Sequence, residues 1–120
     1  MKDENMQSGL LVGDASKAGE VAGLEVCANM LDAIEAAASG DFEKIFVVMA
    51  GFEGKLSAGL KGLREASSNA KIILLSQMYE EPEAIELVKS KKIADDYLIC
   101  PVKKEELEEK YTDVGPYFML

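Results

Sequence analysis

Two short apolar runs, IFVVM at 45–49 and KIILLS at 71–76, constrain the fold more than any other feature of the chain. Each is apolar on both alternating faces, which suits a strand covered on both sides rather than one with a wet face. Between them Leu56, Leu60 and Leu63 recur at helical spacing, so the segment predicts strand, helix, strand. That sequence of elements places the two strands parallel in one sheet, joined by a right-handed crossover.

The same alternation runs along the rest of the chain. GLLVGD at 9–14 is an apolar run ended by Gly and Asp and reads as a buried strand; LEVCA at 24–28 is a weaker strand candidate. Asn29 is placed to cap a helix through Ser39, with Asp32 in its first turn, Met30, Ala33, Ile34 and Ala37 along one face, and Gly40 as its stop. Pro82 suits the first turn of another helix, with Ile85 and Val88 expected on its inner face. Lys89, Lys91 and Lys92 suit its C-terminal end electrostatically. DYLIC at 96–100, closed by Pro101, is the last strand, and KKEELEEKY a short acidic helix. The expected division is a tail at 1–8, one α/β domain at 9–110, and a tail or the start of a linker at 111–120.

In such sheets ligands collect beyond the carboxyl ends of the strands. The residues at those ends are Gly13 and Asp14, Met49, Ser76 and Cys100. Met49 is the odd one, because a thioether neither takes a proton nor holds a hard cation.

Composition removes several function classes. A net charge of -9 leaves no surplus of Lys and Arg to displace phosphate counterions, which excludes nucleic acid and disfavours an anionic membrane surface. The chain has no histidine, so His-based acid–base chemistry, His metal ligation and Ser–His or Cys–His nucleophiles are absent. Cys27 and Cys100 lie far apart without metal-site spacing. No apolar run reaches the roughly 18 residues that a membrane span needs. MKDENMQSG has no apolar signal core, so the expected home is the cytoplasm.

The segment ADDYLICPVKKEEL at 94–107 resembles the one that response-regulator receiver domains carry around their last strand: an aromatic, two residues, a lysine, a proline, then the final helix. The order and spacing of elements extend the resemblance over 9–110. It implies a doubly wound five-stranded parallel sheet of flavodoxin-like order 2-1-3-4-5, which puts Cys27 and Cys100 near opposite edges and leaves both as free thiols. It also implies a strand-end site for self-phosphorylation. That site has an acidic pair holding Mg²⁺ after the first strand, an Asp acceptor after the third, Ser or Thr after the fourth and Lys after the fifth. A carboxylate attacks phosphorus while Mg²⁺ and Lys neutralise the transferring oxygens.

Carried over by position, this chain keeps Asp14 as the second acid and Ser76 as the hydroxyl. Gly13 stands for the first acid, Met49 for the acceptor and Cys100 for the lysine. The resemblance therefore implies a pseudo-receiver that is not phosphorylated, uses no cofactor or metal (Asp14 being at most a residual ligand), and is no enzyme. It would act in a two-component or phosphorelay system through a protein partner or an attached output domain. Its contact face would comprise the helix after Pro82, the strand around Tyr97 and the last acidic helix. Lys91 and Lys92 on one helix and Glu105 and Glu106 on the other suit a two-fold contact between copies, or screen each other within one copy.

Other readings stand beside these. GFEGK at 51–55 invites a phosphate-loop reading, but Met49 and Leu56 occupy the positions where that motif needs Gly and a hydroxyl. Cys100 reads as a structural cysteine and Ser76 as a strand-end hydrogen bonder. Asp14 is a residual ligand or a turn cap, and Tyr97 a rotating switch or plain cover. Only ASKAGEVA separates Asp14 from the second strand, short for a parallel crossover. The first helix is therefore expected to be one turn or absent, leaving one sheet face less covered and open for docking. The runner-up function is a flavodoxin-like small-ligand module, although no Gly/Ser/Thr phosphate loop follows the first strand.

Overall fold

The computed structural model describes residues 9–18, 24–40, 42–52 and 55–101. The expected tails and the acidic helix with Glu105 and Glu106 lie outside them. Strands β1 (Gly9–Val12), β2 (Glu25–Cys27), β3 (Lys44–Val48), β4 (Lys71–Ser76) and β5 (Asp96–Ile99) form one parallel sheet of order β2-β1-β3-β4-β5. Helices α1 (Met30–Ser39), α2 (Leu56–Ala66) and α3 (Glu81–Ile85) lie between the later strands. The first crossover holds a single 3-10 turn, Ala15–Lys17, among its described residues.

The double apolarity of the central strands resolves into two cores. Leu10, Val12, Ile45, Val47, Ile72 and Leu74 pack on one face, with Ala33 and Ala37 of α1, Leu56, Leu60 and Leu63 of α2, and Ala84 of α3. Leu11, Phe46, Val48, Ile73 and Leu75 pack on the other, with Ala18. This is the period of two expected where successive side chains take opposite faces. The second face is not the open docking surface that the short crossover suggests. Its five central side chains are 0–1% exposed. Burial of side chains this apolar drives the sheet to fold, so a short crossover does not become a bare face.

Local chemistry accounts for the helix limits. Asn29 Oδ1 accepts from the Asp32 N–H at 2.8 Å, satisfying a donor the first turn leaves free. The Gly40 N–H closes α1 on the Ala36 carbonyl. Helices α1 and α2 approach closely because Gly59 and Gly62 leave room for Met30 and Ile34: a Cβ at Gly59 would lie 2.5 Å from Met30 Cε, and one at Gly62 would lie 2.7 Å from Ile34 Cδ1. Pro82 sits in the first turn of α3 as expected.

The inner face of this helix differs from the sequence reading. The difference is at Ile85, which is 38% exposed; Ala84 and Leu87 are buried, and Val88 packs partly buried against the same core as expected. The helix passes into a π turn over Glu86–Ser90, where the Lys91 N–H bonds the Glu86 carbonyl, and Lys92 then takes a left-handed φ of 56°. Ala84, Leu87 and Val88 keep the spacing of one helix face; that face begins at Ala84, one residue before Ile85.

At the opposite end of the sheet, Asp95 Oδ2 accepts from the Ile72 N–H at 2.8 Å and from Arg64 Nη2 at 2.7 Å. Arg64 Nη1 also donates to the Ala70 carbonyl at 2.7 Å. One side-chain pair thus ties the end of α2 to the starts of β4 and β5.

Candidate functional site

The carboxyl ends of the adjacent strands β1, β3 and β4 carry Gly13 and Asp14, Met49 and Ser76, of which only Asp14 is charged. Gly13 follows β1 with φ 113°, and its N–H donates to the Cys27 carbonyl at 2.8 Å. A Cβ at this position would lie 3.0 Å from Val48 Cβ and 3.2 Å from Phe52 Cε2. A side chain at Gly13 is therefore disfavoured both by backbone conformation and by neighbours. Met49 is 2% exposed and packs with the core on the α1 and α2 side. Its N–H is fixed to the Leu75 carbonyl at 3.0 Å, and its carbonyl accepts from Phe52.

Asp14 is exposed, but its carboxylate is engaged. Oδ1 accepts from Ser16 Oγ at 2.6 Å and from the Ser16 N–H at 3.0 Å, capping the 3-10 turn. The Ser16 hydroxyl chiefly, then its N–H and the Lys17 charge, hold this carboxyl below the usual range against some desolvation. Ser76 is fully buried, and its hydroxyl donates to the Gln77 carbonyl at 2.7 Å.

Cys100 is 6% exposed, packs on the Phe46 side of the sheet, and is joined to Pro101 by a cis peptide. Met49 and Cys100 thus belong to opposite cores. Cys27 lies on edge strand β2, across the sheet from β5. Desolvation pushes its thiol up, with Glu25 and Asp32 adding to the shift, so it is not an activated thiolate.

Of Gly13, Asp14, Met49, Ser76 and Cys100 only Asp14 offers a carboxylate. Hard cations need several oxygen ligands, and no group of three metal-ligating side chains occurs among the described residues.

At the neighbouring corner Tyr97 is half-buried, and its hydroxyl donates to Glu81 Oε2 at 2.8 Å. Lys91 Nζ lies 3.9 Å from Glu86 Oε2, on its own helix. Sequence reasoning missed three residues here. Phe52 beside Gly13, Gln77 and Glu81 all act through partners distant in sequence. Gln77 Nε2 reaches the Lys17 carbonyl at 3.1 Å, and its N–H donates to Glu80 Oε1 at 2.8 Å.

A five-stranded parallel sheet of this order, with its mouth at the ends of β1, β3 and β4, defines a receiver-like α/β fold. No protein-family model and no curated protein matches the chain. Solved structures do. The REC domain of AraT, a response regulator from Geobacillus stearothermophilus, is similar over 92% of this chain and 95% of its own, with a TM-score of 0.67 and 22% identity. The receiver domain of the Francisella response regulator 1452 is similar over 92% and 98%, with 0.61 and 20%. Adenylate cyclase from Rhodopirellula baltica is similar over 94% and 91%, with 0.67 and 16%. At these identities the likeness describes the fold.

Proposed function

We propose that this chain is a pseudo-receiver, a cytoplasmic signalling module of the two-component type that takes no phosphoryl group and acts by protein contact. Met49 carries the reading. It is an apolar, almost fully buried side chain where a carboxylate acceptor would have to stand. The closed position at Gly13 and the engagement of Asp14 support it. The module is then no enzyme, and its signal passes to a separate partner or an attached output domain. Among the described residues no helix is long and apolar enough to cross a membrane.

The test is incubation with acetyl phosphate and Mg²⁺, and separately with beryllofluoride. No mass increment and no ligand-induced shift are expected; a phosphate mapped to the strand ends overturns the reading. The proposed contact face comprises α3, β5 around Tyr97 and the acidic residues beyond. Sedimentation of wild type against Lys91→Glu/Lys92→Glu across ionic strength tests whether it joins two copies, and two monomers at low salt end that version.

A small-ligand module is the second reading, favoured by a recess of about 650 Å³ between α1 and α2 beside Phe52, lined by Met30, Leu31, Ile34 and Ala58. A colourless protein whose melting temperature ignores flavin mononucleotide rejects its flavin form.

A further inference from the structure

Among the described residues the large apolar side chains left exposed are Val26, Leu31, Met78, Tyr79 and Ile85. Met78 and Tyr79 are adjacent and 72% and 79% exposed, on the 3-10 turn Met78–Glu80 that follows β4. Ile85 ends α3 directly after them. Four positions after Glu81, it lies on the same side of the helix as the Tyr97 contact.

This turn is anchored at both ends. Gln77, just before it, donates from Nε2 to the Lys17 carbonyl across the mouth and from its own N–H to Glu80 Oε1. Glu81, just after it, holds the Tyr97 hydroxyl. The two exposed side chains are therefore presented on a fixed segment. Adjacent large apolar groups held out to solvent mark a contact surface.

The surroundings specify the occupant. Glu80, Glu81, Glu83 and Glu86 lie within the same stretch, and no Lys or Arg occurs between Gln77 and Lys89. Glu86 has only a long contact with Lys91, and no cation among the described residues pairs with Glu83. A second copy of this chain would bring the same glutamates to a two-fold contact centred here, and like charges repel.

We propose that the Met78–Tyr79 turn docks a basic segment of a partner protein, an assignment that rests on the interaction-module reading and names the partner's chemistry. An arginine or lysine of that segment lies on the Tyr79 ring. Its methylene stem and an apolar neighbour cover Met78 and Ile85, while its charges meet Glu83 and Glu86. Electrostatic attraction sets the rate of encounter and the apolar pair fixes the place.

The experiment titrates the isotope-labelled full chain with a synthetic peptide of alternating arginine and leucine, and with its glutamate-for-arginine counterpart. Backbone shifts and fluorescence anisotropy are read together. The arginine peptide is expected to bind with shifts confined to 77–88, and Tyr79→Ser to weaken it about tenfold. Both Tyr79→Ser and Met78→Ser should keep the wild-type melting temperature, because the side chains they remove are exposed. Equal binding by Tyr79→Ser, shifts spread over other acidic surface, or equal binding of the glutamate peptide overturns the assignment. So does self-association of the protein alone that Tyr79→Ser abolishes. The same samples treated with acetyl phosphate separate the two claims. A label at the mouth sinks the pseudo-receiver reading, whereas failed docking without a label sinks only the basic partner.

Discussion

Tyr97 and Glu81 are joined at the junction of β5 and α3, the phenol donating to the carboxylate at 2.8 Å. Glu81 first, then desolvation and the charges of Glu81 and Asp96, raise Tyr97 above the ordinary tyrosine range. A raised folded pKa means that the bond contributes fully below the unfolded tyrosine value of about 10. The contribution is then lost as pH rises through the folded value. Phenolate absorbance of wild type minus Tyr97→Phe should show the high titration. Glu81→Gln should bring it down and flatten the alkaline loss of stability. An unmoved titration in Glu81→Gln removes Glu81 as the cause.

Gly13→Ala is expected to destabilise the fold by about 2 kcal/mol, from the left-handed φ and the close approach of Val48. Adding Phe52→Leu relieves only the ring contact, so the double variant should recover part of the loss. Urea unfolding gives both numbers, and a wild-type midpoint for Gly13→Ala would show that the turn relaxes freely.

Met49→Asp places a carboxyl in a core position that is 2% exposed. A loss of about 3 kcal/mol or more follows from burying the group without a partner, whereas Met49→Leu should stay within about 1.5 kcal/mol. Neither variant should take phosphate from acetyl phosphate with Mg²⁺, because the first acid and the lysine are still missing. Mg²⁺-dependent labelling of Met49→Asp would show that those partners matter less than argued.

Gly59→Ala and Gly62→Ala should differ in outcome although they lie on one helix. A methyl at Gly59 meets Met30 Cε, Cγ and Sδ within 2.9 Å, while one at Gly62 meets only the tip of Ile34 that closely. The helix-propensity gain of about 1 kcal/mol should offset most of the cost at Gly62 and fail to do so at Gly59. Thermal unfolding that ranked Gly59→Ala above Gly62→Ala would reverse this account of the α1–α2 contact.

The parts of the fold that repeat locally were readable from the letters. IFVVM and KIILLS gave both faces of the sheet because their successive apolar residues fall alternately into the two cores. Asn29, Ser39 and Gly40 bounded α1 because a cap acts within one turn. Strand order came only through the resemblance of the last-strand segment. On the helix after Pro82 the apolar letters placed Val88 inward correctly but misled at Ile85, because the smaller Ala84 beside it takes the buried position. Met49 at the end of β3 was legible as a letter. The approach of Phe52 to Gly13 and the bonds Gln77–Lys17, Tyr97–Glu81 and Arg64–Asp95 were not. The three bonds join residues 60, 16 and 31 positions apart, and no local periodicity encodes such meetings.

The strand order also dictates a sequence of assembly. Strands β3 and β4 pair from Lys44–Lys71 to Val48–Leu75 around the intervening α2 and need no distant segment to do so. They are the expected nucleus, with the exposed three-residue β2 and the half-buried β5 joining later. Ile72→Val should therefore slow folding, and Val26→Ala should chiefly speed unfolding; the opposite pattern in stopped-flow kinetics would move the nucleus. The bond from Gln77 to Lys17 can close only once β1 and β4 flank β3. A partner that grips the turn at Met78 and Tyr79 in its anchored form thus recognises the completed molecule, and an incompletely folded chain has nothing equivalent to offer it.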